Sequence, residues 1–112
     1  MASVIATSLE QIREFGGLRG SDVANILDVS QATVSRWSTG KASPHPGDER
    51  LLSDLRYIVD RLAEFYSPEE TRAWLYSRHK LLDDSRAIDL IHDGKVESVL
   101  AVIRSLDEGA YT

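Results

Sequence analysis

Apolar residues recur along this chain at every third or fourth position, the spacing of helices that bury one face. Ile5, Leu9, Ile12 and Phe15 share such a face and predict a first helix over 3–15, stopped by Gly16-Gly17. Ser21 is a good N-cap for a short helix running through Leu27. Asp28-Val29 makes a tight turn, Ser30 caps a helix from Gln31 to about Thr39, and Gly40 closes it. The stretch 42–47, with two prolines and a glycine, reads as the one clear linker. Beyond it the longest predicted helix covers 48–66, with Leu51, Leu52, Leu55, Ile58, Val59, Leu62 and Phe65 in a wide stripe. Ser67-Pro68-Glu69-Glu70 combines a cap, a first-turn proline and a capping-box glutamate, and starts a helix carrying Ala73, Trp74 and Leu75. A shorter helix over 85–93 ends at Gly94, and a last one over 95–107 lines up Val96, Val99, Leu100, Ile103 and Leu106. No run alternates for long enough to suggest a strand, so the expected fold class is all-α.

Length and composition sharpen this picture. With 112 residues and 42% apolar content, the chain can build one compact domain or two modules sharing a core. There is no internal repeat or low-complexity tract. The absence of cysteine excludes disulfides, thiolate metal sites and cysteine nucleophiles, and fits a reducing compartment. The opening residues lack the pattern of a signal peptide, and no apolar run approaches the ~18 residues of a membrane span. A cytoplasmic protein with no membrane partner is expected. The net charge of −5 is evenly spread: residues 1–49 carry four basic and six acidic side chains, and residues 50–112 carry nine and twelve. That balance argues against a tight, non-specific nucleic-acid coat. A local basic face still counts, because charges beyond a Debye length of ~8 Å are largely screened.

Catalytic and metal signals are missing. His45, His79 and His92 are scattered without the i, i+4 pairing of a helical metal site. Asp83-Asp84 beside His79 reads as a solvated loop. Gly16-Gly17 and Gly20 follow a helix and lack the lysine of a phosphate loop. No nucleophile elbow is present. No enzyme activity, catalytic residue, metal or cofactor is expected. Trp37 and Trp74 sit at apolar spacings and read as core.

The most specific pattern lies in residues 22–40. A helix-turn-helix needs two steeply crossing helices around a small residue, with a few apolar anchors at set spacings. Ala24 is the small residue; Val23, Leu27, Val29, Val34 and Trp37 fit as anchors. Between them Ser30, Gln31, Ala32, Thr33, Ser35 and Arg36 are short or hydrogen-bonding, as a helix lying in a major groove requires. The run Ser-Gln-Ala-Thr-Val-Ser-Arg-Trp resembles the recognition helix of Xre/Cro-like repressors, with Asp28 standing where that family often has glycine. By this analogy Gln31 and Arg36 read base edges, while Thr33, Ser35 and Lys41 contact phosphates. Arg19 and Arg50 are candidates to extend the basic face.

From Leu51 onward the chain resembles the toxin-binding region of the Xre–MbcA–ParS antitoxin family, above all its MbcA-type members. The resemblance rests on residues 57–64, on Trp74-Leu75-Tyr76-Ser77, on Leu81-Leu82, on 87–94, on 99–103 and on the ending Asp107-Glu108-Gly109-Ala110-Tyr111-Thr112. Two departures are visible. Residues 77–84 replace the Asn-Pro…Leu-Gly-Gly turn of many members, and Arg86-Ala87 replaces their Thr-Pro.

Two modules are therefore expected: 1–45 for DNA and 46–112 for dimerisation and toxin binding. The resemblance implies the antitoxin of a type II toxin-antitoxin system. Its partner would be a RES-domain toxin that consumes NAD. The antitoxin would form a homodimer, assemble into a higher-order complex with the toxin, and repress its own operon by binding operator DNA. The end of the chain, Glu108, Gly109, Ala110, Tyr111 and Thr112, would block the toxin. The wide stripe of the longest helix, broader than one internal neighbour would cover, makes that helix the expected dimer contributor. Two other readings stay open: a free-standing helix-turn-helix repressor, and a protein-interaction adaptor without DNA binding.

Overall fold

Ser3 opens the first helix by accepting a hydrogen bond from the Ala6 amide at 3.0 Å, and Gly17 closes it in the left-handed region at φ 62°. This helix, α1 (Val4–Gly16), belongs to a computed structural model that describes residues 3–108. It is followed by α2 (Gly20–Leu27), α3 (Gln31–Ser38), α4 (Pro46–Leu62) and α5 (Pro68–Tyr76). A two-stranded antiparallel ribbon comes next, β1 (Arg78–His79) and β2 (Ser85–Arg86), joined by a 3₁₀ turn over Lys80–Leu82. Helices α6 (Ala87–His92) and α7 (Val96–Asp107) complete the described chain. The fold is all-α apart from that ribbon.

Several local expectations are corrected. Ser21 lies inside α2 instead of capping it; the Asp22 carboxylate takes the cap's role by accepting from the Arg19 amide at 2.8 Å. The linker is shorter than expected, because Pro46 and Gly47 form the first turn of α4. Proline costs nothing at that position, where its missing N–H would have had no helical partner. His45 caps this start, its Nδ1 accepting from the Asp48 amide at 3.4 Å. Helix α4 stops at Leu62, four residues early, so that Phe65 falls in a turn and is 41% exposed. Arg78-His79 and Ser85-Arg86 pair as strands too short for any alternation to be visible in sequence, so the helix expected over 85–93 begins only at Ala87 and ends at His92.

One hydrophobic core runs through the molecule. Ile12 of α1, Val23 and Leu27 of α2, Val34 and Trp37 of α3, Leu55 and Val59 of α4, Leu75 of α5, Ile91 of α6, and Val99 and Ile103 of α7 are all buried in a single cluster. Helix α4 is its spine. On one side α1 lies so close that a Cβ on Gly16 would stand 2.9 Å from Val59 Cγ2. The Arg56 guanidinium reinforces this contact, its Nη1 donating to Ser8 Oγ at 3.1 Å. On the other side α4 meets α7. The wide stripe expected to reach a second copy is thus covered within the chain, with Leu52, Leu55, Ile58, Val59 and Leu62 buried. Phe15 departs from its expected face and is 40% exposed. Trp37 is core, as expected, but Trp74 is half-buried. Its ring lies over that of His79, 4.3 Å between centroids, while His79 Nε2 donates to the Trp74 carbonyl at 2.8 Å.

Candidate interaction surfaces

Helix α3 divides cleanly between a buried and an outward face. Val34 and Trp37 point into the core, while Ser30, Gln31, Ala32, Ser35, Arg36 and Lys41 are exposed and Thr33 is half-buried. The helix is set by a three-residue turn from α2 in which Asp28 adopts φ 60°, the left-handed conformation that aspartate tolerates better than most side chains. Ser30 Oγ accepts from the Thr33 amide at 3.1 Å and lies 2.8 Å from Thr33 Oγ1. Arg36 Nη2 in turn donates to that hydroxyl at 3.3 Å. Ser30 and Thr33 therefore build the helix start and tether Arg36, leaving Gln31, Ser35 and the free edge of Arg36 as outward donors. Lys41 stays near because its amide donates to the Arg36 carbonyl at 2.9 Å.

The wider charge around α3 is uneven. Arg13 and Arg19, together with Glu10, line a groove between α1, the start of α2 and the Val34–Ser38 side of α3. Arg50 lies elsewhere: it lines a groove between the starts of α4 and α7, in the company of Asp54 and Glu97. Of the two arginines expected to extend the basic face, Arg19 lines the groove beside α3, and Arg50 lines the separate groove between α4 and α7.

A polar junction that sequence reasoning missed fastens α2 to α5. The Asp22 carboxylate, 6% exposed, accepts from Arg72 Nη1 at 2.6 Å, Arg72 Nη2 at 3.2 Å and the Tyr76 hydroxyl at 2.5 Å. Arg72 also donates to the Gly17 carbonyl at 3.1 Å and lies over the Tyr76 ring. Burial alone raises the Asp22 pKa. The hydrogen bonds from Arg72, Tyr76 and the Arg19 amide, with the arginine's charge, outweigh it and hold the carboxyl below its ordinary value. Burial and the adjacent carboxylate push the Tyr76 hydroxyl up to about 12. No local signal marks this cluster, since its partners are some fifty residues apart.

At the far end, α7 finishes at Asp107, and the Glu108 amide donates to the Arg104 carbonyl at 3.0 Å. Arg61 of α4 reaches across to donate to Asp107 Oδ2 at 2.5 Å and to Glu64 Oε2 at 2.6 Å. These bonds, that to Asp107 first, raise the arginine's pKa further. Of the residues expected to meet a toxin, Glu108 is exposed; Gly109, Ala110, Tyr111 and Thr112 lie outside the described residues. Among the described residues no group of His, Asp or Glu is arranged to hold a metal, and no helix is long and apolar enough to cross a membrane.

No family model matches the chain. It is 32% identical over 111 residues to the mycobacterial cidal antitoxin MbcA of Mycobacterium tuberculosis, covering 99% of this chain and 95% of that one. The probable mycobacterial cidal antitoxin Rv3188 of the same organism is 34% identical over 95 residues, 85% of this chain and 81% of its own length. Among solved structures, a chain in the crystal structure of the M. tuberculosis MbcT–MbcA toxin–antitoxin complex superposes with a TM-score of 0.86 at 32% identity. That match covers 98% of this chain and 99% of the other.

Proposed function

Because the chain belongs to the mycobacterial cidal antitoxin MbcA family, we propose that it is the antitoxin of a type II toxin-antitoxin pair, acting in the cytoplasm by binding and not by catalysis. The observation that carries this reading is the near end-to-end likeness, in sequence and in fold, to a chain of a toxin–antitoxin complex. Its partner is a RES-domain toxin that consumes NAD, and the segment from Glu108 to Thr112 blocks that toxin at its active site. A Tyr111 ring supplies apolar area for a nucleotide-binding cleft, and Glu108 supplies charge for basic groups that otherwise hold phosphate.

The 1–45 module acts as a helix-turn-helix and represses the operon through the outward face of α3. Gln31 and Arg36 read bases, and Ser30, Thr33, Ser35 and Lys41 lie along the backbone, with Ala32 allowing close approach. One such module reads few base pairs, so a homodimer on a two-fold operator follows from the geometry of recognition, and toxin binding builds it into a larger assembly. The net charge of −5 favours a second reading, an adaptor that binds the toxin but no DNA.

Co-expression with the neighbouring toxin while following cellular NAD tests the first claim. Protection by the intact chain, lost on deletion of residues 109–112, is expected; equal protection by the truncated chain would move inhibition to the helical body. Band shifts with the chain's own upstream DNA separate repressor from adaptor.

A further inference from the structure

Helix α4 has a second row of side chains, turned away from the buried Leu52, Leu55, Ile58, Val59 and Leu62. Arg50, Asp54, Tyr57 and Arg61 follow one another at three or four positions, and Glu64 continues the row in the turn after the helix. Arg50 and Asp54 line one groove against α7, and Tyr57 and Arg61 line the next. Leu100 of α7 lines both grooves, so they form one continuous strip, with Tyr57, 54% exposed, at its middle.

The charges of this row are complementary to the same row reversed. Arg50 stands seven positions before Tyr57 and Glu64 seven after it; Asp54 stands three before and Arg61 four after. A two-fold axis at Tyr57 therefore sets each Arg50 opposite Glu64 of the other copy, and each Asp54 opposite the other's Arg61. The outer pair carries the greater weight, because Arg61 already holds Glu64 and Asp107 within its own chain. Arg50 has no ion pair among the described residues. Glu64, its side chain 54% exposed, meets Arg61 through Oε2 and keeps Oε1 for a second cation. On the flanking α7, Glu97 and Arg104 lie 3.9 Å apart and compensate each other.

We propose that this row is the docking face for a second copy of the chain, α4 against α4 and antiparallel, with Tyr57 on the two-fold axis. This rests on the homodimer proposed above and names its face. The two Tyr57 rings meet at the centre and supply apolar area, while the charged pairs form the rim and fix the register. The row spans about 21 Å at the helical rise. A face of that length, two helices wide, lies near the lower limit of specific interfaces, so a micromolar dissociation constant is expected.

Sedimentation velocity of the full chain from about 1 to 300 µM brackets such an affinity and tests the proposal. The weight-average mass is expected to rise from monomer to dimer, and Tyr57→Lys should leave a monomer. Arg50→Glu and Glu64→Arg each set like charges across the axis twice. Each should weaken self-association about tenfold, with the melting temperature nearly unchanged. Mixed together, these two variants should pair with one another, because a cation then faces a carboxylate at both sites. A brace within one chain could not be restored by mixing. A wild-type chain that stays monomeric throughout overturns the homodimer together with its face. A wild-type dimer that survives both Tyr57→Lys and Arg50→Glu lies elsewhere on the molecule, and only the face fails. If the two charge variants are weakened and do not associate when mixed, the antiparallel register is wrong.

Discussion

Arg72 on α5 grips Asp22 at the head of α2 through both carboxylate oxygens, at 2.6 and 3.2 Å, across fifty residues of sequence. Removing the cation strands a buried carboxylate with the Tyr76 hydroxyl and the Arg19 amide. Arg72→Met is therefore expected to cost about 2 kcal/mol, less than for a fully buried pair because the Arg72 side chain is 41% exposed. Urea unfolding measures this. The double variant Asp22→Asn/Arg72→Met should recover part of the loss, since the stranded charge is then gone.

The same cluster sets a pH dependence with two arms. Asp22 is held below its ordinary value of 3.8, so its contribution is complete above that pH and is lost as acid carries the solution through the lowered folded pKa. Glu70, held down by the Ser67 amide, and Asp89, held down by Arg86, act in the same direction. Tyr76 works oppositely. Raised from 10.0 to about 12, it contributes fully below pH 10 and loses that contribution as pH rises toward 12. Urea midpoints followed from pH 9 to about 12 should fall along this arm, and Tyr76→Phe should flatten it.

On α3, the outward face and the core face carry separate predictions. Arg36→Ala and Gln31→Ala are expected to weaken operator binding by about 1–3 kcal/mol each while leaving the melting temperature nearly unchanged. Trp37→Ala, one position further on, opens the core and should cost about 3–5 kcal/mol of stability. Operator titration beside thermal melting resolves the two. Equal operator affinity in both surface variants would remove DNA reading from this helix.

Gly17 combines a positive φ of 62° with crowding: a Cβ there would stand 2.9 Å from the Pro68 carbonyl oxygen. Gly17→Ala is expected to destabilise by about 2 kcal/mol or more, from the left-handed conformation and the close approach together. Thermal melting measures it. The exposed Gly94, also at positive φ but with nothing within 4 Å, should cost only the conformational part on Gly94→Ala.

What the sequence made legible is what is local. Ser3 and Gly17 bound α1, Asp28 turns left-handed between α2 and α3, and the Ser67–Glu70 box starts α5, each within four residues of its partner. Where distant packing decides, local reading falls short. Phe15 and Phe65 lie on apolar stripes, yet Gly16 brings α1 onto Val59 and α4 ends at Leu62, so both rings are left outside. Pro46 reads as a break because proline disrupts a helix interior, although it suits a helix start. Asp22 stands 50 residues from Arg72 and 54 from Tyr76, so nothing local in the sequence joins them. The family could be recognised because its motifs run along the chain, but the bridge from Arg61 to Asp107 exists only once α4 and α7 lie side by side.

The shared core has a consequence for how the protein is made. As the chain emerges from the ribosome, α1, α2 and α3 come first, with the apolar faces of Ile12 and Val23 already formed. Their cover, Leu55, Val59 and Leu75, is supplied by α4 and α5, which are translated later. Until then the Asp22 carboxylate also lacks its arginine. The outward face of α3 is thus a late product of synthesis, its supporting core completed only once α4 and α5 have been translated.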